Sequence, residues 1–388
     1  MKNLIDKGSK FFQNKDYNSS LRIFLDLEKI SPNNIQIYIF ISLNYMFLKK
    51  FEDALVYLEK ITSLNPKSAD ALFNKALCYS NLNKVDLTIH NYQECIKIRP
   101  DYNLAYINLG VLFKNLGRFK EALDIYKKAM QMLENLEDVY VNLSEIYKIL
   151  RNYENAKLYA NKALKINSKN FYALNNLAIS MIDEGNPEEA IPFLEKSIEI
   201  NPKFTMTYAN LGIAFRYTSD HKAAELFYRK AISLDPNFFD AYFNLGQIQL
   251  TNNNFVDGWK NYEYRWKKID KRPKILNFSK PRWDESLGYK KLLIWGEQGV
   301  GEQILFSNIL SELIDKIVKI ILLIDERLCK IYEENFKNLE VIAISNKINE
   351  ALFDYHLPIC SLGLYFRKSL EQFPNNQKFF KIESFRNS

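Results

Sequence analysis

Along the first two thirds of this 388-residue chain, apolar residues recur at three- and four-residue spacing in segments broken by short polar stretches such as "NLGRF", "LRNY" and "DEGNP". That spacing puts apolar side chains on one face of a helix, so the breaks predict paired helices joined by tight turns. The pattern repeats as a whole. Prolines close the second helix of a pair at Pro32, Pro66, Pro100, Pro202 and Pro236, separated by 34 residues or a multiple of 34, with Glu134 and Ser168 at the intervening positions. Small residues keep the same period in the first helix: Gly8, Ser42, Ala76, Gly110, Ser144, Ala178, Gly212 and Gly246. Ala54, Ala122, Ala156, Ala190 and Ala224 do so in the second, and small side chains let two helix axes approach closely.

Residues 103–136 give the clearest copy, with Tyr106, Leu109, Gly110 and Phe113 in the first helix and Ala122, Tyr126 and Ala129 in the second. Period and positions together resemble the tetratricopeptide repeat (TPR). Seven full repeats are expected over 1–238 and an eighth over 239–268. The fold class expected for the whole chain is mostly α: a TPR α-solenoid followed by a small α/β, Rossmann-like half domain with a parallel sheet. One repeat cannot bury its own apolar face, so stacked neighbours create a concave groove lined by the first helices.

An asparagine holds the sixth position of that first helix in six consecutive repeats: Asn74, Asn108, Asn142, Asn176, Asn210 and Asn244. Asparagine is a poor helix-interior residue, so its return needs a reason. A primary amide both donates and accepts, and a row of them can grip the main chain of an extended polypeptide without reading its sequence. The row resembles the asparagine ladder of the TPR domain in O-linked N-acetylglucosamine transferases, which implies that these amides hold a peptide. The alternative is structural, with the amides bonding backbone groups of the adjacent helix. Other groove positions carry mixed charge (Asp70, Asp138, Asp240, Lys114, Lys148, Arg216, Tyr217) and name no single ligand class.

From about residue 273 the period stops. "KKLLIWG", "VKIILLID" and "LEVIAIS" predict short strands alternating with the helices "ILFSNILSELIDK" and "ERLCKIYEENF", the order of a doubly wound parallel sheet. The first strand leads into a glycine loop, Gly296, Glu297, Gln298, Gly299, Val300, Gly301, which is neither a P-loop nor G-x-G-x-x-G. The run "KPRWDESLGYKKLLIWGEQGVGEQILFSNIL", with "FDYHLPICSLGLYF", resembles the heptosyltransferase-like glycosyltransferase domain that follows TPR arrays in bacterial proteins. The resemblance implies the acceptor half of a GT-B architecture. It also makes Glu302, standing where the family has aspartate, the candidate general base at a helix N-terminus, with Asn308 where an arginine is usual. It covers roughly 273–380 and no sugar-nucleotide half follows, so the chain alone is expected to be inactive and the half domain to leave a sheet face uncovered.

The formal net charge of +7 is local: between Asp257 and Lys291 eleven Lys/Arg stand against five Asp/Glu. Here Trp259, Tyr262 and Trp266 are expected to share one helix face, docked on the next domain, with the interleaved Lys260, Arg265, Lys267 and Lys268 solvated. The expected division is a solenoid at 1–268, a basic, Trp-containing junction at 269–290 and the α/β domain at 291–388. Cys78, Cys95, Cys329 and Cys360 form no CxxC pair and the three histidines are scattered, so no metal or cofactor is expected. No apolar run reaches the roughly 18 residues of a membrane span, and the first residues lack a signal-peptide core, so the expected place is the cytoplasm. The leading expectation is a scaffold for extended polypeptide segments. The second is an inverting glycosyltransferase whose nucleotide-sugar half is supplied elsewhere, and the third a nucleic-acid adaptor working through the junction, with nucleic acid disfavoured as a partner.

Overall fold

A computed structural model describes residues 1–267, 276–288, 290–297, 299–314 and 316–373. Gln298 of the glycine loop and most of the junction's first half lie outside the described residues. The chain forms two compact units, Met1–Glu184 and Gly185–Ser388.

The first unit is helical: α1 (Lys2–Gln13), α2 (Tyr17–Ile30), α3 (Ile35–Phe47), α4 (Phe51–Leu64), α5 (Ala69–Asn81) and α6 (Val85–Ile98). It continues with α7 (Asn103–Asn115), α8 (Phe119–Met132), α9 (Glu137–Ile149), α10 (Tyr153–Ile166) and α11 (Phe171–Asp183). Odd-numbered helices are the first of each pair, α5, α7, α9 and α11 carrying Asn74, Asn108, Asn142 and Asn176, and even-numbered ones return. The small residues do what their period predicts. A Cβ at Gly110 would enter the ring of Tyr126 and one at Gly8 would lie 2.8 Å from Phe24, so each glycine seats the ring sixteen residues on.

Each turn within a repeat ends its first helix with a residue of positive φ: Lys15 (62°), Lys49 (59°), Asn83 (55°), Gly117 (71°) and Arg151 (56°), with Gly185 (93°), Ser219 (63°) and Asn253 (62°) continuing the series in the second unit. Around Lys49 the Lys50 N–H donates to Tyr45 O (2.9 Å) and the Lys49 N–H to Met46 O (3.0 Å), which is the Schellman arrangement. The period therefore imposes a left-handed residue every 34 positions, whatever side chain stands there. Gly117→Ala is expected to cost about 1 kcal/mol from strain alone, since no atom lies within 4 Å of the added Cβ. Arg151→Gly should gain up to about the same, less the backbone entropy of glycine. Thermal unfolding of both variants checks the two signs.

In the second unit α12 (Pro187–Ile200), α13 (Thr205–Tyr217), α14 (His221–Leu234), α15 (Phe239–Thr251) and α16 (Phe255–Tyr262) carry the repeat on. A single 3-10 turn, Glu263–Trp266, ends it. Then follow β1 (Lys291–Trp295), α17 (Val300–Phe306), α18 (Leu310–Ile314), β2 (Lys319–Ile324), α19 (Glu326–Asn335), β3 (Glu340–Ala343), β4 (Tyr355–Pro358) and α20 (Leu362–Phe366). The segment read as one helix after β1 is two, parted by a 3-10 turn where the Ser307 hydroxyl donates to Ile304 O (2.6 Å).

The four strands are parallel in the order β3-β2-β1-β4. One face of the sheet (Leu292, Ile294, Ile320, Leu322) packs on Phe306, Leu310, Leu328 and Tyr332, and also on Phe255 and Trp259 of the last repeat. The other face was expected to be bare; it is not. Leu293, Trp295, Ile321 and Leu323 are all buried, against Phe353 with Trp266, Phe278 and Leu352. Residues between β3 and β4, with Trp266, Leu276 and Phe278 ahead of β1, cover this face without an α-helix.

A second expectation fails with it. Trp259 and Trp266 do not share a face but lie on opposite sides of the sheet, because the 3-10 turn breaks the helical register between them. Trp259 Nε1 donates to Arg367 O (2.7 Å), and its ring fills the space a Cβ at Gly363 would need. The last repeat is thus docked on the sheet by its second helix.

Candidate functional site

In the first unit Asn74, Asn108 and Asn142 are half-buried and Asn176 is buried. The Asn142 Nδ2 donates to Asp138 O of its own helix (2.8 Å). The Asn176 Nδ2 instead reaches back to Val141 O on α9 (3.3 Å), and its Oδ1 accepts from Lys148 Nζ (3.4 Å). Asn108 is hydrogen-bonded to the hydroxyl of Tyr92 on α6, a phenol that burial pushes up to about 12. Asn108 and Asn176 therefore tie neighbouring repeats together. In the second unit Asn210 is buried and Asn244 half-buried.

Groove charges are also bonded: within one repeat Asp70 accepts from Arg99 (2.6 Å) and Tyr102 (3.0 Å), while across repeats Lys114 pairs with Glu145 (2.7 Å) and Arg216 donates to Gln247 (2.9 Å). Burial, with Lys114 beside it, holds Lys148 below the usual lysine value, while Glu145 and Asp183 oppose the shift.

The glycine loop sits at the carboxyl end of β1, next to the end of β4. Gly296 is required there by packing, since a Cβ would lie 2.6 Å from Gln303 Cδ. The Gln303 Oε1 accepts from the Asp325 N–H (3.0 Å). Gly299 lies under Glu302, whose Oε2 would be 3.0 Å from an added Cβ, and Gly301 is open. Glu302 is half-buried in the first turn of α17, a helix of seven residues. Asn308, the other departure from the transferase pattern, accepts from Arg367 Nη2 (3.1 Å).

Glu297 does not face solvent. Its two oxygens accept from Arg265 Nε (2.8 Å) and Nη2 (2.8 Å), and Oε1 also accepts from the Cys360 N–H (3.0 Å). Arg265 further donates to Glu263 (2.6 Å) and to the Ser361 hydroxyl (2.8 Å). Arg282 joins Glu263 and Ser361 (2.7 Å). Arg265, expected to be solvated, is 1% exposed, whereas Lys260 and Lys267 are exposed. Burial alone would lower the Arg265 value, but the Glu297 and Glu263 carboxylates overcome it and raise it. The same turn faces the solenoid: Tyr264 stacks on Tyr242 of α15 with ring centroids 4.1 Å apart.

Beside the crevice, His356 Nδ1 accepts from Trp295 Nε1 (3.2 Å), and the bond needs an unprotonated nitrogen. Burial and then Arg282 hold His356 below the ordinary histidine value, against Glu350 and the Lys280 main chain. Unfolding frees it to take up a proton at about pH 6.5. Stability is therefore full above that pH and falls as pH drops through it. We expect the thermal midpoint to decline as the pH falls below about 6.5, and His356→Gln to flatten that decline.

Among the described residues no cluster of His, Cys, Asp and Glu is able to hold a metal, and no helix is long and apolar enough to cross a membrane.

Three family models, each of the tetratricopeptide repeat, match this chain: one at 35–68, 137–170, 171–204 and 207–238, a second at 57–89 and 227–260, and a third at 104–137. Together they take in over half of it. The chain is a tetratricopeptide repeat protein. A stretch of 151 residues is 26% identical to Protein FlbA of Caulobacter vibrioides, taking in 34% of this chain and only a quarter of FlbA (25%). The fold is similar to a TPR protein from Parabacteroides merdae (TM-score 0.52, 18% identity, 64% of this chain and 98% of that one). It is also similar to a chain of the APC/C hetero-tetramer Cut9–Hcn1 (TM-score 0.51, 17% identity, 69% and 53%). These structures share the fold alone.

Arg265, Glu263, Ser361 and Arg282 escaped the sequence reading. Within the TPR register Arg265 reads as one more base in a basic run, and Ser361 follows a strand of only four residues.

Proposed function

We infer that this TPR protein is an interaction scaffold that holds extended polypeptide segments along its first-helix face. The observation that supports the reading is the recurring asparagine: in the first unit Asn74 and Asn142, and in the second Asn244, sit half-buried at the 34-residue period with amide groups of the kind a peptide main chain can pair with. Asn108, Asn176 and Asn210 would contribute mainly by fixing the stacking. The division at 1–268, 269–290 and 291–388 and a cytoplasmic place belong to the same proposal. To test it, peptides are selected from a displayed library of unstructured segments and their affinity is compared for the wild type and Asn74→Ala/Asn142→Ala/Asn244→Ala. The account expects at least about tenfold weaker binding, 1.4 kcal/mol, with an unchanged thermal midpoint. Asn176→Ala, in contrast, should lower the midpoint. Unchanged affinity in the triple variant would refute the grip.

A second reading, a glycosyltransferase acting on acceptors in the groove, is supported by a strand order matching half of a doubly wound sheet, with Glu302 beside the glycine loop as base. The sugar nucleotide would sit on a further half domain. Calorimetric titration with UDP- and ADP-linked sugars tests it, heat of binding favouring the transferase. For a nucleic-acid adaptor the basic stretch from Asp257 to Lys291 loses Arg265, which is buried in ion pairs.

A further inference from the structure

Open parallel sheets take ligands in the crevice at the carboxyl ends of the two strands that flank the reversal of strand order. Here those strands are β1 and β4. The crevice is built for a particular chemistry. Glu297, its side chain wholly buried, presents both oxygens to one planar fork, and the Ser361 hydroxyl, the Glu263 carboxylate and the Tyr262 carbonyl (3.4 Å) take the remaining guanidinium N–H groups. The rings of Tyr262 and Trp266 lie 4.7 and 4.6 Å from the guanidinium carbon. Two arginines, Arg265 and Arg282, balance two glutamates, Glu263 and Glu297. A phosphate entering this place would meet the Glu297 carboxylate, and an ammonium would satisfy one oxygen where the fork satisfies two.

We propose that the crevice is a guanidinium site whose occupant is the chain's own Arg265, an internal ligand that keeps the switch point shut and latches the last repeat to the sheet. The β4 edge is bridged by residues 281–283. The Trp283 N–H donates to His356 O (2.8 Å) and the His356 N–H to Pro281 O (3.2 Å), where a further strand of a doubly wound sheet would join. The sheet is thus capped both at its ligand end and along that edge. The inference does not rest on the groove reading above.

The test is chemical rescue in the full chain. Arg265→Ala is expected to lower the thermal midpoint by several degrees. Millimolar methylguanidinium should restore part of that loss and change the tryptophan fluorescence, because Trp266 flanks the site. Methylammonium at equal concentration should do neither, and the wild type and Arg265→Ala/Glu297→Gln should not respond. If the alanine variant does not fold, Arg265→Met, which keeps the stem's volume, replaces it in the same comparison. Equal effects of the two cations, or rescue that persists without the Glu297 carboxylate, would overturn the proposal.

Discussion

Gly246→Ala is expected to destabilise the Gly185–Ser388 unit by about 3 kcal/mol or more, the upper end of what overpacking costs. The added Cβ would lie 2.6 Å from Tyr262 N, 2.8 Å from Gly258 O and 2.9 Å from Asn261 C, all of them backbone atoms of α16 that cannot rotate away. Gly212→Ala makes the informative control. There the nearest atoms, from 2.5 Å, belong to the Tyr228 ring, which can shift at smaller cost. The Gly246 change also pushes on the residues that lead directly into Glu263 and Arg265, so its effect reaches the crevice. Urea unfolding of the two variants checks the order. A Gly246→Ala loss below that of Gly212→Ala would mean α16 is not held where the structure has it.

Glu297→Ala should cost about 3–5 kcal/mol, the usual price of stranding a buried charge. Arg265 would keep Glu263 and Ser361 but lose its bidentate partner, and its side chain is only 2% exposed, so water cannot replace the carboxylate. The double variant Glu297→Leu/Arg265→Met is expected to regain most of that loss, because removing both charges leaves nothing stranded. Denaturant titration of the single and double variants separates the two cases. A Glu297→Ala loss under about 1 kcal/mol, the scale of an exposed pair, would show that Arg265 finds water.

How far the sequence reaches depends on what is periodic. The 34-residue spacing fixes helices, turns and small-residue contacts, because these arise between the two helices of one repeat. Gly110 under Tyr126 could be anticipated from position alone. The left-handed residue of each turn could not, since Lys15, Lys49 and Arg151 carry no local sign of φ above zero. β1 and β2 were legible as apolar runs. β4 was not recognised as a strand, for it is four residues long and ends in proline. The crevice was hardest, because Glu297 and Ser361 lie 32 and 96 residues from Arg265 and meet it only through tertiary docking. The asparagine periodicity could not tell Asn176, spent on Val141 and Lys148, from Asn142, which bonds only within its own helix turn through Nδ2.

The central claim is that the groove grips a polypeptide by its main chain. The most direct measurement takes a peptide selected for binding and compares two relatives of it: one with its side chains permuted, and one N-methylated at alternate backbone amides. The account predicts that permutation leaves the affinity nearly unchanged and that N-methylation abolishes binding. A peptide that tolerates N-methylation but not permutation would contradict it.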